Sequence, residues 1–270
     1  MPTVQAPFSS AQVSQNVVGR YETILYPLAI SDSHCGLTRN EKVPSCQDAK
    51  EYEVSIIQKF FDQENAPSKH IGFNCEGRQG SEVSDRERAY IINWLVNIHN
   101  RLKDDLRQET LHITVNLIDR ILAKHNVPVN KLKLLGITCF FIATKFEDIA
   151  TPSAGDLIIM AQIHRQVFIK DIHALELKIL SSLDFDVQFP TTYQFFMLFC
   201  NLVNASNTHR VFGQFILEIA LLERAMILNK KPSLIAFGAI YLVSSRLVKS
   251  EPTKKKCRQI LEDLNKLLHQ

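Results

Sequence analysis

Leu134-Leu-Gly-Ile-Thr-Cys-Phe-Phe-Ile-Ala-Thr-Lys-Phe146 is apolar on nearly every side once wound into a helix. Such a helix must be surrounded by other helices. The run of about ten apolar residues from Leu134 to Ala143 is roughly half of the ~20 needed to cross a bilayer, so it reads as the hub of a soluble helical bundle. Glycine usage agrees: nine glycines in 270 residues is about half the common share of roughly 7%, fewer than sheets joined by tight turns require.

Working outward, Ser84-Asp-Arg-Glu87 has the spacing of a capping box, in which the serine hydroxyl and the glutamate carboxylate satisfy free amides of a first turn. The helix it opens carries Tyr90, Ile91, Trp94, Leu95 and Ile98 at helical spacing. A second helix is predicted from about Glu109 through Leu111, Val115, Ile118 and Leu122, with Asp119 and Arg120 interrupting its stripe and His125-Asn-Val-Pro128 ending it. Beyond the hub, Thr151-Pro-Ser breaks the chain and Ser153 caps a short helix to about Ala161. A fifth helix spans about Lys170 to Leu183. After Phe189-Pro190, helical patterns recur over roughly 192–203, 208–222, 233–248 and 254–269, with little more than a tight connection before the last. The third of these is again broadly apolar, so a second bundle of similar grain, but shortened, is expected.

The expected organisation is a mobile, disordered leader (1–47), a short helix and loop (48–83) whose Tyr52, Ile56 and Phe60 are spaced for docking, a first bundle (84–189) and a shortened second one (190–270). The fold class is all-α. The net charge is +3 and the only marked basic cluster is Lys254, Lys255 and Lys256, which disfavours a dedicated nucleic-acid binder. Six scattered cysteines without a Cys-x-x-Cys suggest reduced thiols, hence the nucleus and cytoplasm. The N-terminus has no basic start followed by an apolar core, so neither a targeting segment nor a membrane association is expected.

Five consecutive segments carry a resemblance. Glu87-Arg-Ala-Tyr-Ile-Ile-Asn-Trp-Leu-Val96, Gln108-Glu-Thr-Leu-His-Ile-Thr-Val115, Leu117-Ile-Asp-Arg-Ile-Leu122, Lys131-Leu-Lys-Leu-Leu-Gly136 and Ile142-Ala-Thr-Lys-Phe-Glu-Asp148 resemble the cyclin box in order and spacing. They are most similar to mitotic cyclins of the A and B types. Weaker likeness continues through Pro232-Ser-Leu-Ile-Ala236. The resemblance implies two tandem cyclin folds and a regulatory subunit that binds and activates a cyclin-dependent serine/threonine kinase, acting in the cell cycle around mitosis. No cofactor and no catalysis by this chain are implied.

It also implies residue roles. Arg88 and Asp119 match a buried pair joining the first two helices, and Leu134 a core leucine of the third. Lys145 and Glu176 match the charged residues with which cyclins grip backbone groups near the regulatory C helix of a kinase. Ile142, Phe146, Leu180, Phe185 and Val187 match apolar contacts around them, and Ile56, with Tyr52, falls where an N-terminal helix also touches the kinase. Trp94, Leu132, Ile91 and Tyr90 match a groove that docks substrates or inhibitors. Its rim departs from the family: Glu87 stands where a methionine is usual, Asn97 for a glutamate and Lys133 for a glutamine, which weakens complementarity to a basic docking peptide.

Enzymatic readings find little support. His173 and Glu176 share a helix face, but one pair falls short of the three or four ligands a metal needs. No phosphate-cradling or nucleophile-elbow motif occurs. Two other readings remain: a degenerate cyclin fold acting as a scaffold without kinase activation, and a factor IIB-like DNA-binding protein of the same fold.

Overall fold

The computed structural model describes residues 59–65, 83–102, 106–163, 167–203 and 205–247. The chain divides into two compact units, 1–65 and 66–270. In the first, 59–65 is helical; Tyr52, Ile56, the leader and the last expected helix lie outside the described residues. The described residues of the second unit form helices only.

The helix α1 (Asp85–Arg101) starts at the expected capping box: Glu87 N–H meets Ser84 Oγ at 3.3 Å and Ser84 N–H meets the Glu87 carboxylate at 2.7 Å. It buries Ile91, Ile92, Leu95 and Ile98. The next helix, α2 (Gln108–Lys124), has no cap from its own N-cap residue. Asp148, from the far end of the hub, supplies one instead, accepting from Arg107 N–H at 2.8 Å and from Thr110 Oγ1 at 2.7 Å. A carboxylate there also faces the positive end of the helix dipole.

After a 3-10 turn at Val129–Lys131, α3 (Leu132–Glu147) packs against α1, α2, α4 (Ala154–Met160) and α5 (Ile169–Ser182), as its all-round apolarity requires. Gly136 permits the close approach of α1. A Cβ there would lie 3.2 Å from Ile91 Cγ1. Leu134 is only half-buried against this core, and it is Leu135 and Ile137 that lie fully inside.

The second bundle comprises α6 (Thr192–Leu202), α7 (Asn207–Leu222), α8 (Arg224–Asn229) and α9 (Pro232–Leu247). Here α9 repeats the hub role, packing on α6 and α7 around Phe195, Phe196, Phe199 and Phe237. Phe199 meets Phe237 edge-on with centroids 6.2 Å apart. The six-residue α8 was not expected; it is too short to show a period.

The bundles share a seam in which α1 packs on α7 and α2 on α6. That contact explains why α2 is buried on almost every side, polar positions included. Thr191 Oγ1 and Glu109 Oε1 are 2.5 Å apart, and the His112 ring stacks on Tyr193 at 5.6 Å. Burial pushes the Glu109 carboxyl up to about 8 and the His112 imidazole down to about 3, so both are neutral at physiological pH.

Candidate functional site

Arg88 and Asp119 form the pair the resemblance implied. Arg88 Nε donates to Asp119 Oδ1 at 2.6 Å and Nη2 to Oδ2 at 2.7 Å, a two-pronged charge-assisted contact joining α1 to α2. Arg88 is 1% exposed. Its Nη1 reaches further, donating to the Leu221 carbonyl at 3.0 Å. That carbonyl belongs to the last turn of α7, where acceptors lack helical partners. One guanidinium therefore fastens three helices and both bundles.

A different kind of site lies along the α3–α5 contact. The last turn of α3 carries Lys145 and Phe146; the middle of α5 carries His173, Glu176 and Leu177. Lys145 Nζ donates to Glu176 Oε1. The same ammonium sits 4.3 Å from the centroid of the Phe141 ring, a favourable cation–π distance. His173 Nδ1 lies 3.5 Å from Glu176 Oε2, and its ring meets Phe141 edge-on. Glu176 is 8% exposed, whereas Lys145 is exposed. The carboxylate is thus held in a partly desolvated seat by a cation that still faces solvent.

Apolar groups surround this pair in the open. Phe146 is 50% exposed, Leu177 is 65% exposed and Phe185, just after α5, is 67% exposed. Rings and leucines standing in water beside a buried carboxylate are what a partner surface requires. Leu180, one turn beyond Glu176, is half-buried. Two residues assigned to this face by resemblance belong elsewhere: Ile142 and Val187 are buried in the core of the first bundle. Ile142 faces inward because α3 is covered on that side by its neighbours, so both residues support the face from behind. Tyr52 and Ile56 lie outside the described residues.

A second concave surface, an open groove of about 800 Å³, runs between the start of α1 and the start of α3. Buried Ile91 and Leu132 line its apolar part, and Tyr90, 63% exposed, stands at its edge. Trp94 is half-buried, with the Lys133 ammonium 5.9 Å from its ring. Glu87 lines the groove as well, but its carboxylate bonds the Ser84 amide and hydroxyl, which hold its pKa below the ordinary value. Arg86 and Lys133 place two cations on the same walls. Three of the four sequence-assigned groove residues, Tyr90, Ile91 and Leu132, thus line it, and Trp94 adjoins it through Lys133.

The polar cluster at the bundle seam escaped sequence reasoning. His99 donates from Nε2–H to the Arg107 carbonyl at 2.9 Å, and burial lowers its pKa. Glu109 and His112 occupy helical positions that meet Thr191 and Tyr193 at the start of the second bundle. Among the described residues no group of three or more His, Cys, Asp or Glu side chains could hold a metal ion, and no helix is long and apolar enough to cross a membrane.

Comparison with known proteins fits this geometry. Residues 55–188 match the family model of the cyclin N-terminal domain and residues 190–268 that of the cyclin C-terminal domain. Cyclin-B2-1 of Oryza sativa subsp. japonica is 34% identical over 209 residues, covering 77% of this chain and 48% of the rice protein. G2/mitotic-specific cyclin-2 of Medicago sativa is 38% identical over 160 residues, 59% of this chain and 47% of the alfalfa protein. The chain spans about half the length of these curated relatives. An X-ray structure of a viral cyclin from herpesvirus saimiri superposes with a TM-score of 0.57 at 16% identity, over 66% of this chain and 85% of the viral one, and shares the fold. With both of its helical bundles matched by the two domains of one family, and with B-type and G2/mitotic cyclins among its relatives, the chain belongs to the cyclin family.

Proposed function

We propose that this chain is a regulatory subunit that binds and allosterically activates a cyclin-dependent serine/threonine kinase, acting around the G2/M transition in the nucleus and cytoplasm and performing no chemistry itself. The observation that carries the reading is the Lys145–Glu176 pair set among exposed Phe146, Leu177 and Phe185. Such a face can accept an amphipathic helix: its apolar side covers the rings, while the charged pair turns toward backbone groups at the end of the partner helix. Activation is a population shift, in which the cyclin binds the active placement of the kinase helix better than the inactive one. The mitotic relatives support the timing.

The groove lined by Tyr90, Ile91 and Leu132, with Trp94 beside Lys133, is a secondary contact for kinase substrates or inhibitors, with reduced preference for basic peptides because Lys133 and Arg86 stand on its walls. The test is co-purification of the chain with a cyclin-dependent kinase, followed by a kinase assay on the isolated complex. A complex that forms but phosphorylates no faster than the kinase alone, with its activation loop phosphorylated, would replace the activator with a scaffold.

A further inference from the structure

The turn that follows α5 holds two successive non-glycine residues in the left-handed region, Asp184 at φ 52° and Phe185 at φ 58°. Side chains with a Cβ resist this conformation, and two in sequence persist only when their surroundings fix them. Part of the fixing is local. Phe185 N–H bonds the Leu180 carbonyl at 2.9 Å and Asp184 N–H bonds the Ser181 carbonyl at 3.3 Å, the pattern of a Schellman helix end. That pattern ends a helix with one left-handed residue and leaves the second unexplained.

The rest comes from the last turns of α2. Lys124 Nζ donates to the Ser182 carbonyl at 2.7 Å and His125 Nε2 lies 2.6 Å from Ser182 Oγ, both before the strained pair. Arg120 Nη1 donates to the Asp186 carbonyl at 2.7 Å, just after it, and Nη2 lies 3.9 Å from the Asp186 carboxylate. One end of α2 thus grips the chain on both sides of Asp184–Phe185, while the Phe185 ring points into solvent.

We infer that Arg120, assisted by Lys124 and His125, is a positioning residue for the kinase-binding face: it locks the Asp184–Phe185 turn so that Phe185 is presented ready-made to the partner. This rests on the kinase-binding reading above. The physical gain is preorganisation, since a ring fixed before association loses less conformational freedom when it docks. The polar contacts of Arg120 both go to Asp186, one residue past Phe185, so its effect on binding should pass through Phe185.

The experiment uses the full chain and a purified cyclin-dependent kinase. Amide hydrogen exchange of residues 183–187 in the free chain reports the clamp without any kinase; calorimetry reports affinity. Arg120→Gln should accelerate exchange at Phe185 and Asp186 by about tenfold or more and weaken kinase binding about threefold to tenfold. Arg120→Lys, which can still reach the Asp186 carbonyl, should recover part of both. On a Phe185→Ala background, Arg120→Gln should weaken binding no further. Should Arg120→Gln fail to fold, His125→Ala, an exposed position, carries the same exchange and binding readouts. Unchanged exchange at 185 and 186, or full additivity of Arg120→Gln with Phe185→Ala, would overturn the inference. If the wild-type chain bound no cyclin-dependent kinase, the functional reading would fall with it, and normal exchange in the variants would separately dismiss the clamp.

Discussion

Replacing Asp119 by alanine would remove both carboxylate oxygens from Arg88 while leaving its guanidinium 1% exposed, with Nη1 still on the Leu221 carbonyl. Two charge-assisted bonds, at 2.6 and 2.7 Å, vanish together. Stranding one member of a buried pair costs about 3–5 kcal/mol, because the remaining charge loses its compensation and cannot regain water. For a folded unit of this size each kcal/mol lowers the melting temperature by about 2–4 °C, so Asp119→Ala should melt roughly 6–20 °C below wild type. Since Arg88 also holds α7, the loss should reach both bundles and leave a single cooperative transition. An apolar pair, Arg88→Met with Asp119→Leu, should be far less harmful than the single change, since neither charge is left alone. Thermal melts followed by circular dichroism would decide it. A single variant melting within a degree of wild type, or one that folds normally yet loses kinase binding, would refute the structural role.

Truncating the charged pair at the proposed kinase face should have unequal effects on folding: Lys145→Ala leaves the buried Glu176 carboxylate without its cation and should cost about 1–3 kcal/mol, whereas Glu176→Ala leaves an exposed lysine and should cost under about 1 kcal/mol. Both should weaken kinase binding at least about tenfold, or about 1.4 kcal/mol, by calorimetry. Gly213→Ala would drive a Cβ into the fully buried Phe196 ring, and its melt should show an overpacking loss of about 1–3 kcal/mol. Glu109 supplies a pH signature: burial lifts its folded pKa to about 8 from the ordinary carboxyl value of 4.5, so the folded chain binds the extra proton and stability from this group falls as pH rises from about 4.5 to 8. Denaturant titrations of Glu109→Gln should lack that decline and show a gain over wild type that grows up to pH 8; a gain independent of pH would mean Glu109 is not held neutral.

Much of the first bundle was legible because its signals are local. A capping box spans four residues, and an apolar run such as 134–146 can be satisfied only as a hub. The pairing of Arg88 with Asp119 and the joint placement of Lys145 and Glu176 came from the resemblance; periodicity alone would have left each as an ordinary charge. What stayed hidden depended on contacts distant in sequence. Asp148 caps α2 across about 40 residues, and Glu109 and His112 are buried because the second bundle covers them. Ile142 and Phe146 stand one turn apart with similar letters, yet one is core and the other stands in water, since α3 leaves its enclosure at its last turn. Tyr90 shows the opposite error: it shares the apolar arc of α1, but that arc is wider than the neighbours that cover it, so the ring emerges at the groove.

The central claim, that the α3–α5 face binds a cyclin-dependent kinase and turns it on, is tested most directly by titrating this chain into a purified, activation-loop-phosphorylated cyclin-dependent kinase and following phosphate transfer to a peptide. The wild-type chain should activate saturably, with the Glu176→Ala curve displaced at least about tenfold toward higher concentration while its melt stays near wild type. Activation curves that coincide for wild type and Glu176→Ala would contradict it.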